Sequence, residues 1–315
     1  MSELEGRKLN FALVLDSTSE VDPEYSSLIR IERVPLFITL GSETRAEPDW
    51  TVKEIVDRYD REPCHTSCPS PAMFEEKYRL LLDEGYEGVV CVPMSKGVSG
   101  TYQAALTARD SLGEASSKVF VVDACLANYG ISNLLNASIE KLKEEGVTAE
   151  EYARELETIA SDTTEIWTLG DLSHLYKGGR LSKFSFAIGS LLHIKPIISV
   201  TPKVGSLRVE KKLRTFADVD NYLVQKVKNL FERFKKLYVR FINLGDENQV
   251  ARLKDRVLSL FPSISYTAVS EVGPLFTAHL GRNGYGLCAS GVGPISDAPK
   301  ENTRSGWSIF HTFKR

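Results

Sequence analysis

The sequence predicts an α/β first domain with a parallel sheet, followed by an α+β second domain with a mixed sheet. Strand-like runs and helical patterns alternate up to about residue 160, and the order then becomes strands, helices, strands. The run NFALVLD at 10–16 is apolar almost throughout, as in a parallel strand covered on both faces. Because 315 residues are many for one core, we place two domains at residues 1–163 and 164–315.

The first half shows the signals of repeated strand–loop–helix units. Further strand candidates are VPLFITL (34–40), GVVCVP (88–93) and KVFVVD (118–123). Helix starts are marked by Thr51 with Glu54, by Ser70-Pro71, by the turn before TYQ, and by Thr148 with Glu151; a further helix is expected at 130–145. Such units predict a mostly parallel sheet with helices on both faces.

The second half begins with a loop that carries Lys177-Gly178-Gly179-Arg180. Strand-like runs follow at 194–200, at 237–244 and within 264–289, and helical patterns occupy about 216–236 and 247–260. This order predicts the mixed sheet of the second domain.

Composition and charge exclude several classes of protein. A net charge of −3 without a basic block gives no reason to expect nucleic acid. The start MSELEGRKLN is too polar for a signal peptide, and no apolar run is long enough to span a membrane. Five scattered cysteines fit free thiols in a reducing compartment. We therefore expect a cytoplasmic protein with at most transient membrane contact.

Small hydroxyl side chains collect near predicted strand ends. Asp16-Ser17-Thr18-Ser19 follows the first strand, Thr66-Ser67 precedes the helix at Ser70, and Ser95 and Ser99 follow the strand at 88–93. Each of these could simply cap a helix. Together, at the carboxyl ends of strands and beside helix N-termini, they predict an anion-binding site without naming the anion.

The stretch CHTSCPSP at 64–71 allows other readings. Cys64, His65 and Cys68 have the spacing of metal ligands, but a closed site needs four ligands and no second Cys/His cluster exists. A cysteine nucleophile would need a base and an orienting partner, which the sequence does not identify. We expect neither a metal nor a catalytic residue here. The chain also lacks a GxxxxGK[ST] loop and is not a kinase by that signature.

The sequence resembles the DegV family of bacterial fatty-acid-binding proteins. The matching segments occur in order along nearly the whole chain: LDSTSEV (15–21), VPLFITLG (34–41), TSCPSPAMFEEKY (66–78), SKGVSGTYQAA (95–105), VVDA (121–124), LYKGGRLS (175–182) and IGSLLHIKPII (188–198). The resemblance implies the same pair of domains, with a long-chain fatty acid held between them and no other cofactor. It also implies a partner, a fatty acid kinase related to dihydroxyacetone kinases, which phosphorylates the bound carboxylate for phospholipid metabolism.

The resemblance assigns four binding residues. Thr66 and Ser99 match the hydroxyls that hold the carboxylate, and Arg180 matches a basic residue near the head group. His279 matches a histidine that opens a glycine-rich HxGPG segment, in which Arg282 here replaces the proline. Because a tight bidentate arginine would damp a nucleophilic carboxylate, we expect Arg180 nearer to the emerging phosphate or the kinase.

Two questions stay open at the level of sequence. The apolar residues Phe184, Phe186, Ile188, Leu191, Leu192 and Ile194 could line the acyl chain or form the core of the second domain. The Gly-Gly-Arg loop and the helix starts could instead hold a small phosphorylated metabolite in an enzyme, or the lipid could only stabilise a regulatory protein.

Overall fold

The computed structural model describes residues 9–180, 194–200 and 204–296. Its strands are β1 (Phe11–Asp16), β2 (Ile31–Val34), β3 (Phe37–Leu40), β4 (Glu43–Ala46), β5 (Cys64–Ser67), β6 (Gly88–Val92), β7 (Val119–Val121), β8 (Thr163–Leu169), β9 (Lys195–Val200), β10 (Leu207–Leu213), β11 (Phe234–Leu244), β12 (Tyr266–Glu271) and β13 (Gly284–Pro294). Its α-helices are α1 (Pro23–Leu28), α2 (Val52–Arg58), α3 (Pro71–Asp83), α4 (Thr101–Asp110), α5 (Asn128–Ala137), α6 (Ile139–Leu142), α7 (Ala149–Ser161), α8 (Ser173–Lys177), α9 (Phe216–Phe231), α10 (Glu247–Leu260) and α11 (Pro274–Leu280).

The first domain is built on a parallel sheet with the strand order β2-β1-β6-β7. Successive side chains of β1 point to opposite faces. Leu13 packs with residues of α5 and α7, whereas Val14 packs with residues of α3 and α4. Helices therefore cover both faces, which confirms the predicted fold class and explains why the strand reads as continuously apolar.

A second, small sheet was not predicted. Strands β4, β3 and β5 form an antiparallel sheet, and Pro35 separates β2 from β3. Treating 34–40 as one strand was therefore wrong, because proline has no N–H with which to continue a ladder. The apolar face of the small sheet packs on Met94, Ala127 and Leu275, so this sheet covers the carboxyl end of the parallel sheet.

The second domain is built on a mixed sheet with the order β10-β9-β8-β13-β11-β12. Only the pair β11–β12 is parallel among the described pairings of this sheet. Helices α9 and α10 cover one face through residues such as Leu223 and Leu253. Apolar residues of α8 and α11, including Leu175 and Leu280, pack on the other face. The predicted boundary between residues 163 and 164 falls at the start of β8 and stays a prediction.

Helix α5 lies between the two sheets, and all ten of its residues are buried. Its polar side chains bind both domains. Asn133 donates to the Tyr238 carbonyl at 3.1 Å and to Ser290 at 2.9 Å, both in the second sheet. Ser132 accepts from the Glu20 N–H at 2.9 Å, in the loop after β1. At its N-terminus, Glu165 of β8 accepts from the Ala127 N–H at 2.9 Å, and burial raises the pKa of Glu165 to about 8.

A buried arginine adds charge to this contact between domains. Arg240 on β11 is 2% exposed; it donates to Asp22 at 2.9 Å, to Glu20 at 3.3 Å and to Ser270 at 2.6 Å. Tyr266 and Asn136 also bond to Asp22. Burial by itself would raise the pKa of Asp22, but these bonds outweigh that effect and lower the pKa. The first domain thus supplies the carboxylates and the second domain the guanidinium.

None of the described helices is long and apolar enough to cross a membrane.

We expect Arg240→Ala to lower the free energy of unfolding by about 2–3 kcal/mol, because two carboxylates lose their buried cation but stay partly hydrated. Arg30→Ala is the matched control, since the Arg30 side chain is 42% exposed and its partner Glu32 keeps Lys77 as a second cation. The loss in this variant should stay below about 1 kcal/mol. Urea denaturation of both variants measures the difference. Equal losses would show that the interdomain ion pairs contribute no more than surface pairs.

Candidate ligand-binding site

A small cavity of about 40 Å³, partly open to solvent, lies where the small sheet, the parallel sheet and the second domain meet. Its polar lining includes Thr66 from β5, Ser99 from the loop before α4, Arg180 from the loop after α8, and His279 from α11. Its apolar lining is Leu36, Met94, Val98, Ala127, Leu175, Leu207, Leu275, Phe276 and Leu280. The cavity therefore has a few polar groups within mostly apolar walls, as small-molecule sites commonly do.

One wall of the cavity is fixed by a buried carboxylate at the end of β1. After β1 the chain continues to β2 on one side of β1, and it later adds β6 on the other side. The strand order therefore reverses between β1 and β6, and α/β sheets bind ligands in the crevice at such a point. Asp16 bridges this crevice by accepting from the Met94 N–H at 2.7 Å and from the Thr18 N–H and hydroxyl at 3.0 and 2.6 Å. Burial raises the pKa of Asp16, and these bonds oppose the rise. Met94, which the bond holds, lines the cavity.

Thr66 and His279 meet across the two domains. Thr66 Oγ1 lies 2.8 Å from His279 Nε2. Thr66 precedes helix α3, as expected, and it pairs with Ile38 in the small antiparallel sheet, which was not predicted. Burial first, and then the positive charges of Arg180 and His174, lower the pKa of His279 to about 4. The imidazole is therefore neutral at pH 7 and can donate through one ring nitrogen only.

Ser99 is oriented by the helix that follows it. Its hydroxyl lies 2.8 Å from the Thr101 hydroxyl and accepts from the Thr101 N–H at 3.3 Å. Thr101 is fully buried, whereas Ser99 lines the cavity. When Thr101 donates, the proton of Ser99 is left for an acceptor inside the cavity.

Arg180 lies at the exposed edge of the cavity. Its guanidinium donates to the Gly178 carbonyl at 2.5 Å, and its own N–H bonds to the Leu175 carbonyl at 3.2 Å. The structure therefore brings all four predicted site residues to one cavity, with Arg180 as the most exposed of them. Their assigned roles stay predictions.

The other predicted hydroxyls have different places. Ser17, Thr18 and Ser19 line a separate cleft near Arg33, and Ser95 is fully buried below the loop that carries Ser99. Ser70 makes no side-chain bond to the start of α3, where Pro71 occupies the first turn. Small polar residues at strand ends thus marked the correct edge of the sheet but did not identify which of them face the cavity.

The cysteines and the histidine of CHTSCPSP do not point toward one common site. Cys64 and Thr66 lie on the half-buried face of β5, and His65 lies on its exposed face. Neighbouring residues of a strand point in opposite directions, so Cys64 and His65 cannot bind one ion together. Within the described residues, no three His, Cys, Asp or Glu side chains lie together in a way that could hold a metal.

The apolar lining was largely missed from the sequence. Met94, Ala127 and Phe276 carry no local signal of binding, because ordinary core residues have the same pattern. Five of the proposed tunnel residues, Phe184, Phe186, Ile188, Leu191 and Leu192, lie outside the described residues. Ile194 is described and partly buried just before β9.

The family model and a similar known protein both indicate the same family. The model described as "Uncharacterised protein, DegV family" matches residues 10–291. A DegV domain-containing protein of Halalkalibacterium halodurans is 30% identical over 283 residues, which cover 88% of this chain and 96% of that protein.

Solved structures share the fold. A fatty-acid-binding DegV family protein of Thermus thermophilus matches with a TM-score of 0.80 and 27% identity, covering 90% of this chain and 99% of the other. The Fatty Acid Kinase (Fak) B3 protein of Streptococcus pneumoniae, loaded with linoleic acid, matches with a TM-score of 0.77 at 18% identity, covering 90% and 99%. The second likeness carries the fold alone.

The low pKa of His279 predicts a specific pH dependence of stability. Above pH 6.5 the imidazole is neutral in both states; as the pH falls, the unfolded chain takes up the proton first and stability drops. Between pH 7 and pH 5 this costs about 2 kcal/mol. His279→Gln keeps a polar group beside Thr66 but removes the titration, so its free energy of unfolding should fall by about 2 kcal/mol less over that range. Denaturation curves at both pH values test this, and parallel pH profiles would contradict it.

Proposed function

The chain belongs to the DegV family, and from that premise we propose that it binds a long-chain fatty acid and presents the carboxylate to a separate kinase. The carboxylate accepts from Thr66 and Ser99, His279 belongs to the head-group site by donating to Thr66, and the acyl chain starts among the apolar residues of the cavity. One observation carries the proposal: residues from four separate segments, matching the family motifs, line one cavity that is polar at one part and otherwise apolar.

The apolar part of the cavity supplies the affinity. Each buried CH₂ gains roughly 0.8 kcal/mol, so a fully buried chain of about 16 carbons gains on the order of 10 kcal/mol gross. The cavity, at about 40 Å³, holds only the start of such a chain, so binding the whole chain requires the apolar walls to move apart. Leu36, Met94 and Phe276 are among the side chains that replace water around it. This setting favours a lipid over a small phosphorylated metabolite, whose charge and hydroxyls would find few partners among such walls.

The polar part of the cavity offsets the cost of burying the head group. A carboxylate taken from water without partners costs several kcal/mol. When His279 Nε2 donates to Thr66 and Thr101 donates to Ser99, both cavity hydroxyls are left to donate to the carboxylate. These donors are neutral, so they hold the ion without withdrawing its charge as a bidentate arginine would.

The proposed chemistry needs a second protein. The carboxylate oxygen attacks the γ-phosphorus of a nucleoside triphosphate that the kinase holds, and the bond from that phosphorus to the β,γ-bridging oxygen breaks. The products are an acyl phosphate and a nucleoside diphosphate. In this proposal Arg180 contacts the negative charge of that phosphate, which its position at the exposed edge of the cavity supports. We assign this chain no catalytic residue, no metal and no cofactor, and place it in the cytoplasm beside a kinase related to dihydroxyacetone kinases.

Extraction of ligand from the purified protein tests the proposal directly. Mass spectrometry should find a long-chain fatty acid, and ligand-stripped protein should bind added fatty acid. Repeated recovery of no lipid, together with no binding of added fatty acid, would overturn the proposal. Turnover of a phosphorylated metabolite by this chain alone would favour the enzyme alternative instead.

Thr66→Val and Ser99→Ala should each weaken fatty acid binding by about 10- to 100-fold, since each removes one hydrogen bond to a charged group. Thr44→Val is the matched control, because this hydroxyl is bonded to Thr39 on the exposed small sheet and does not line the cavity. Titration calorimetry measures all three affinities. Unchanged binding in both cavity variants would remove these hydroxyls from the head-group site.

Replacing Cys64 and Cys68 together by serine should leave fatty acid affinity within about threefold of wild type, because serine has the same shape as cysteine and is only slightly smaller. Cys68 is one of the residues that line the cavity, and Cys64 lies in β5. The same titration measures the effect. Loss of binding together with loss of a stoichiometric metal ion would restore the metal hypothesis for this segment.

A further inference from the structure

The loop that carries Ser99 is a tight turn with its own hydrogen bonds. Val98 N–H and Ser99 N–H both donate to the Ser95 carbonyl at 3.1 Å, and the Gly97 N–H donates to the Ser95 hydroxyl at 3.3 Å. Ser95 is fully buried, and its N–H donates to the Leu126 carbonyl at 3.0 Å. The position of Ser99 therefore depends on where Ser95 lies.

The second domain presses directly on this turn. A Cβ atom placed on Gly97 would lie 2.4 Å from the carbonyl carbon of Gly205 and 2.5 Å from Val204 O and Ser206 N. All three are backbone atoms, which cannot rotate away. The backbones of the two domains thus approach as closely as only glycine permits.

The contact is just as close when it is described from Gly205. Gly205 has φ +70°, and a Cβ atom there would lie 1.7 Å from Ser95 Oγ, 2.8 Å from Ser95 Cβ and 3.2 Å from Cys125 Cα. The backbones of Gly97 and Gly205 therefore touch each other beside Ser95, and we name this the Gly97–Gly205 contact. Two residues further on, Leu207 lines the cavity together with Val98 and Ser99.

We propose that Gly97 and Gly205 are positioning residues for the head group, because their contact fixes the Ser99 hydroxyl relative to Thr66 and His279. The second domain thereby supplies His279 directly and sets the place of Ser99 indirectly. This inference rests on the proposed function for its ligand. The contact itself is a property of the protein without ligand.

Gly205→Ala is the test variant, and Gly146→Ala is its matched control. Both glycines have φ +70°, so both variants carry the same backbone strain. A Cβ atom on Gly146 has no neighbour within 4 Å, whereas one on Gly205 meets Ser95. Ser95→Gly removes both Ser95 atoms in question, so Ser95→Gly with Gly205→Ala completes a double-mutant cycle.

The first measurement is amide hydrogen exchange in the ligand-free protein. In Gly205→Ala, the amides of Val98 and Ser99 should exchange at least about tenfold faster than in wild type, while in Gly146→Ala they should not change. The double variant should recover most of the protection. Unchanged exchange in Gly205→Ala would overturn the inference.

The second measurement is binding of hexadecanoic acid and of 1-hexadecanol, which has the same chain length without the charge. Gly205→Ala should bind the acid about tenfold or more weakly, with a smaller loss for the alcohol, since only the head-group contact is displaced. Equal losses for both ligands would overturn the positioning role.

If Gly205→Ala does not fold, the double variant decides: folding with near-wild-type binding supports the inference, and failure to fold overturns it. If wild-type protein binds neither ligand, the proposed function falls, and hydrogen exchange alone decides whether the contact positions the loop.

Discussion

Helix α5 is buried along its whole length between two sheets, so its polar side chains need partners within the protein. The amide nitrogen of Asn133 donates to two acceptors on the mixed sheet, and the Ser132 hydroxyl accepts from the loop after β1. A buried polar group that loses its partner costs about 1–3 kcal/mol, so these bonds allow few alternative placements of one domain against the other. The ion pairs of Arg240 act in the same direction.

The geometry of the cavity follows from this fixed placement. His279 belongs to a helix of the second domain and Thr66 to the small sheet of the first, yet their side chains lie 2.8 Å apart. Neither domain alone has both. A carboxylate bound here would contact groups held by the interface, which links head-group recognition to the contact between domains.

Particular residues explain which parts of this arrangement could be predicted from the sequence. The apolar run of β1 and the capping boxes at Thr51 and Thr148 are local signals, and the structure confirms them. The run at 34–40 was wrongly predicted to be one strand, because the pairing with the parallel sheet ends before Pro35 and the residues after it pair in the small sheet. Which strand a segment pairs with cannot be predicted from that segment alone. Thr66 and Ser99 were found through the family motifs, whereas Met94 and Phe276 look like ordinary core residues until the cavity is seen.

The sequence by itself determined the α/β and α+β fold classes, the family and the identity of four candidate side chains, because periodicity, caps and motifs are written in short segments of chain. Only the tertiary structure decided that the four line one cavity, that Thr66 bonds to His279, and that Gly97 meets Gly205. Thr66 and His279 are 213 positions apart in the chain, and no local pattern specifies such a contact. Burial of the surfaces around α5 brings them together, and that burial is a property of the whole fold.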